Sequence, residues 1–85
     1  MKDRQKNYLI YYLKDLEERI ESQRSELKAY ANHTGISVGS IASIASGLAE
    51  LEKEQRTICW TLGQLGYYVE YENNHVKDIV VDEEE

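Results

Sequence analysis

Two stretches decide the fold: LIYYLKDLEERIESQRSELKAY at residues 9–30 and IASIASGLAELEKEQRTICWTLGQL at residues 41–65. In the first, Leu9, Leu13, Leu16, Ile20, Gln23, Leu27 and Tyr30 recur at alternating steps of four and three. That heptad spacing lays one apolar stripe along a helix. In the second, Ile41, Ile44, Leu48, Leu51, Gln55, Ile58, Leu62 and Leu65 continue the same rhythm. Folded back antiparallel, Tyr30 meets Ile41, Leu27 meets Ile44, Gln23 meets Leu48, and Ile20 meets Leu51. Leu16 then meets Gln55, Leu13 meets Ile58, and Leu9 meets Leu62, so the residue numbers of every pair add to 71. One register satisfies all seven layers. The two glutamines fall in different layers, where polar seam residues fix register at some cost in stability.

The flanks of these stretches agree. Residues 3–32 contain neither Gly nor Pro and are rich in Leu, Glu, Lys, Arg and Ala, which predicts one helix over about 3–32. Asn32-His33-Thr34-Gly35 breaks it, with Gly35 suited to a left-handed cap. Ser37 is placed to cap a second helix over about 37–65, and Ile36 and Ile41 have the spacing of a hydrophobic staple. The expected arms are about 45 Å long at 1.5 Å per residue.

After Gly66 the period changes to two. Tyr67, Val69 and Tyr71 alternate with Tyr68, Glu70 and Glu72, Asn73-Asn74 offers a tight turn, and His75 to Val81 runs back. This predicts a β-hairpin over about 67–81, with Glu72 opposite His75, Tyr71 opposite Val76, Glu70 opposite Lys77 and Tyr68 opposite Ile79. Asp82 to Glu85 form an acidic tail. The fold class is therefore mainly α: an antiparallel, coiled-coil-like helical hairpin followed by a two-stranded β-hairpin, in a single domain over 1–85.

Composition narrows the function. The 85 residues leave a marginal core that needs help, most simply from copies of itself. A single cysteine excludes an internal disulfide and fits a reducing, cytoplasmic setting. A net charge of −6 argues against an electrostatic grip on nucleic acid. No apolar run is long enough to span a membrane.

Six of the seven tyrosines, Tyr8, Tyr11, Tyr12, Tyr67, Tyr68 and Tyr71, cluster with Trp60 at the open end of the helical hairpin, and there is no Phe. Tyr and Trp suit surfaces that are alternately wet and covered, so these seven are the candidate interface or partner-binding residues. Lys14, Arg24, Lys28 and His33, with Ser37 and Ser40 at the start of the second helix, form a candidate anion or nucleotide site. The small residues from Gly39 to Gly47 would let another backbone approach. Residues 1–28 carry seven basic and six acidic groups, whereas residues 50–85 carry three and ten, an imbalance that can imitate nucleic-acid phosphates. Glu17, Glu18, Glu21, Glu50, Glu52 and Glu54 read as solvated charge. Cys59 reads as packed and unreactive.

No Ser-His-Asp set, paired inward carboxylates, Gly-rich phosphate loop or ligand-spaced His/Cys cluster occurs, so neither catalysis, metal nor cofactor is expected. The expectation is a small acidic protein-binding regulator or inhibitor, a homo-oligomer with a protein partner. Its size and charge suit proteins that phages and mobile elements direct against host or defence proteins. The alternatives are an oligomeric sponge for a nucleotide-type signalling molecule and a structural assembly element.

Overall fold

The computed structural model describes residues 2–32, 35 and 37–81. Helix α1 spans Asp3–Ala31 and helix α2 spans Val38–Gln64; strands β1, Tyr67–Glu72, and β2, His75–Val81, follow as an antiparallel hairpin. The molecule is an elongated 54 × 22 × 21 Å. Asp3 in the first turn of α1 and Lys28 in its last complement the helix dipole. Asn32 is the C-cap, its N–H directed to the carbonyls of Lys28 and Tyr30. Gly35 adopts φ +94° beyond the cap and does not itself cap the helix. Ser37 caps α2 as expected, its Oγ accepting the Ser40 N–H at 3.2 Å. Ile36, and with it the staple, lies outside the described residues, as do His33 and the tail at 82–85.

The helices pair in the expected register. Arg24 Nη2 meets Glu52 Oε2 at 2.7 Å on one flank of the seam, and Tyr12 Oη donates to Glu54 Oε1 at 2.8 Å on the other. These two cross-links straddle the seam symmetrically: their residue numbers add to 76 and 66, five on either side of 71.

Burial is concentrated at the open end. Leu13, Leu16, Leu62, Val76 and Ile79 form the core, and Leu9, Ile10, Tyr12, Leu51, Ile58, Tyr67 and Val69 pack around it. Ile20 is also buried, but no described residue between it and the tip is. Two helices alone cover each other from one side only. The β-hairpin adds the second layer, β2 against α1 and β1 against α2.

The hairpin departs from the expected register at one point. Asn73 and Asn74 take φ values of 53° and 67°, the doubly left-handed turn that matches strand twist, and Glu72 pairs with His75 and Tyr71 with Val76. Beyond that, Glu70 pairs with Asp78 and not with Lys77, Val69 takes Ile79, and Tyr68 takes Val80. Lys77 is an extra residue, a β-bulge. Its effect is to turn both Val76 and Ile79 inward, three positions apart, which an unbroken strand cannot do. Lys77 Nζ still lies 3.7 Å from Glu70 and 3.9 Å from Glu72.

Candidate partner-binding surface

The open end of α1 is apolar around most of its circumference, and only part of it can face the core. At about 100° per residue, Lys6 and Glu17 lie on one side of Leu13, and Tyr8 and Tyr12 on the other. The β-hairpin occupies the first side. Lys6 Nζ meets Asp78 Oδ1 at 3.3 Å, and Glu17 Oε1 accepts the Val76 N–H at 2.8 Å. The second side stays open, with Tyr8 73% and Tyr11 78% exposed.

Tyr12 is committed differently from its neighbours. Its hydroxyl reaches both carboxylate oxygens of Glu54, at 2.8 and 3.0 Å. That bond, with partial desolvation, holds the phenol above its ordinary value. Asn7, Tyr8, Tyr11, Tyr12 and Asp15 line a shallow hollow around it, and Arg4, Gln5, Tyr8 and Leu9 line a second beside it.

The remaining aromatics sit elsewhere. Trp60, 68% exposed, lies on the side of α2 away from the seam. Tyr68 and Tyr71 are exposed on β1, while Tyr67 packs against the core. Tyr71 Oη lies 3.9 Å from Cys59 Sγ; desolvation first, and the thiol second, push that phenol up to about 12. Tyr8 and Tyr11 thus share the open side of α1, Trp60 lies on α2 and Tyr68 and Tyr71 on β1, with Tyr12 and Tyr67 partly withdrawn.

Except for Lys14, the described candidate anion residues do not converge on the tyrosines. Lys14 and Lys28 are exposed. Arg24 is held by Glu52, and the Ser37 and Ser40 hydroxyls bond each other at 3.0 Å. Lys28 is about 24 Å along α1 from Tyr12 at 1.5 Å per residue. Within one chain Arg24, Lys28, Ser37 and Ser40 therefore sit away from the tyrosines of α1, and of the described anion candidates Lys14 alone, three positions from Tyr11, lies beside them. The small residues from Gly39 to Gly47 are open to solvent except at the seam positions Ile41 and Ile44.

Three glutamates overturn the reading of solvated charge. Glu17 caps a strand, Glu52 holds Arg24, and Glu54 accepts the Tyr12 hydroxyl; Glu18, Glu21 and Glu50 are exposed. Nothing in the local sequence separates the two groups, because the partners of the first come from distant elements. His75 Nδ1 lies 3.8 Å from Glu17 Oε2, with the imidazole largely exposed. Among the described residues no group of three His, Cys, Asp or Glu side chains is placed to hold a metal, and no helix is long and apolar enough to cross a membrane. Compared with known family models, curated proteins and solved structures, the chain matches none.

Proposed function

We propose that this chain is a small acidic, non-enzymatic protein-binding regulator that works as a homo-oligomer by occupying a partner's surface. One observation carries the reading: at the end of the molecule that holds the whole core, Tyr8, Tyr11 and Trp60 remain about 70% exposed or more. Scattered apolar residues on a surface are ordinary. Here the exposed groups are the aromatic types that dominate binding hot spots, on a chain whose core is small. The exposed aromatics on α1 and those on α2 and β1 also suit two contacts, one to a foreign protein through α1 and one to the chain itself. The small size and acidic balance support a target that normally meets nucleic acid, of the host or defence kind that phage and mobile-element proteins engage.

The test is a photo-crosslinking amino acid placed singly at Tyr8 or Tyr11, with Glu26 and Ser43 near the tip as controls, in cells of the source. Crosslinks from Tyr8 and Tyr11 to one common protein, absent from the controls, are expected. Equal crosslinking from all four positions, or none from the tyrosines, would overturn the reading.

A further inference from the structure

The two edges of the β-hairpin are finished differently. In a two-residue hairpin Glu72 and His75 form the hydrogen-bonded pair next to the turn, so the alternate residues direct their backbone groups outward. On β2 the outward N–H groups of Val76 and Ile79 are both satisfied within the chain. Glu17 Oε1 accepts the first and Asp78 Oδ1 the second, each at 2.8 Å, and Lys6 holds Asp78. On β1 the outward residues include Val69 and Tyr71, and no side chain among the described residues caps either N–H. An open strand edge is a template for another strand.

We infer that β1 pairs antiparallel with β1 of a second copy, centred on Val69, to make a continuous four-stranded sheet in the order β2, β1, β1, β2. The inference rests on the homo-oligomeric part of the reading above and names the surface responsible. Three observations select this occupant and register. A two-fold axis perpendicular to the sheet joins identical edges and closes the assembly, because the other edge of each copy is capped. A two-stranded sheet is also marginal alone, whereas four strands share one face.

Charge then fixes the register. With Val69 opposite Val69, Glu70 faces Tyr68, Glu72 faces Gly66, and Tyr71 faces Tyr67. No like charges stand opposite. Shifting by one hydrogen-bonded pair sets Glu70 against Glu70, and shifting by two sets Glu70 against Glu72. Either is repulsive. A shift the other way sets no like charges opposite but leaves only residues 67–69 paired before Gly66, whose φ of +87° ends the strand, whereas the favoured register pairs 67–71. In the favoured register the two Glu70 side chains are diagonal neighbours, each already accompanied by Lys77 at 3.7 Å.

Sedimentation equilibrium of the full chain, across a wide concentration range at low salt, tests this with Tyr68→Glu, Tyr68→Lys and the double variant Tyr68→Glu/Glu70→Lys. Tyr68 is half exposed, and circular dichroism checks that each variant folds. The expected result is that Tyr68→Glu raises the dimer Kd about tenfold or more, while Tyr68→Lys leaves it unchanged or lower and the double variant recovers it. Equal effects of Glu and Lys, no effect of either, or no recovery in the double variant would overturn the β1 contact while leaving a homo-oligomer in place. A wild-type chain that stays monomeric throughout would overturn both.

Discussion

The Glu17 carboxylate in α1 accepts the backbone N–H of Val76 in β2 at 2.8 Å, across 59 positions of sequence. Only 15% of its side chain is exposed, and Val76 is itself part of the core. One residue therefore both anchors the β-hairpin to the helices and closes an edge of the sheet. Glu17→Ala leaves the Val76 donor without its partner and is expected to cost about 1–3 kcal/mol in urea unfolding. Glu17→Gln keeps an acceptor oxygen and should lose less. Equal losses from the two variants would show that the charge, and not the cap, matters.

Core substitutions should divide sharply along the molecule. Leu13, with no exposed surface, touches both layers, whereas Leu27 lies beyond the reach of the β-hairpin and is half-buried. Leu13→Ala is expected to cost about 2–5 kcal/mol, and Leu27→Ala less than half as much. Comparable shifts in the denaturation midpoint would contradict a core confined to the open end.

Acid should weaken the hairpin through Asp78. The Ile79 N–H first, and Lys6 second, hold its carboxyl below the usual carboxylate range. A lowered folded value stabilises the protein at pH above the unfolded value of about 3.9, and that stabilisation disappears as pH falls through the folded value. The stability gap between the wild type and Asp78→Asn should therefore be constant from neutral pH to about pH 5 and shrink below about pH 4. A gap that persists unchanged to lower pH would remove Asp78 from the acid response.

At the alkaline end the sign reverses. Tyr71, raised to about 12, favours the fold while protonated, so its contribution is complete below its ordinary value near 10 and is lost as pH rises towards 12. Tyr71→Phe should flatten the alkaline fall in stability and delete one proton from the last part of the tyrosine absorbance titration. A titration of unchanged shape would place that proton elsewhere.

The Asn73-Asn74 turn offers a gain. Asn74 holds φ 67°, which glycine adopts without strain and a β-branched residue resists. Asn74→Gly should raise the melting temperature, and Asn74→Val should cost about 1 kcal/mol or more. If both lower it equally, the Asn74 side chain itself supports the turn.

The helical hairpin was legible because its information is local and repeated: seven seam pairs share one register, and both cross-links straddle it. The β-hairpin was legible as far as the turn. Past Lys77 it was not, since nothing in His75-Val76-Lys77-Asp78-Ile79 marks the extra residue. The bulge is fixed by what lies beneath it, a helix surface that takes Val76 and Ile79 together. The gathering of six tyrosines towards the open end was legible. Which of them stay exposed was not, because it depends on which flank of α1 the β-hairpin covers. Glu17 was invisible for the same reason, its partner being a backbone group 59 positions away.

The placement of the core has a consequence for how the chain folds. Leu16 and Leu62, the closest in sequence of the core residues from the two helices, are 46 positions apart. Closing so long a loop directly is entropically unfavourable, whereas zipping the seam from the tip advances through short closures. Those first layers bury little. A chain halfway through the zipper has formed much of its helix and almost none of its core, so secondary structure should appear well before resistance to denaturant does.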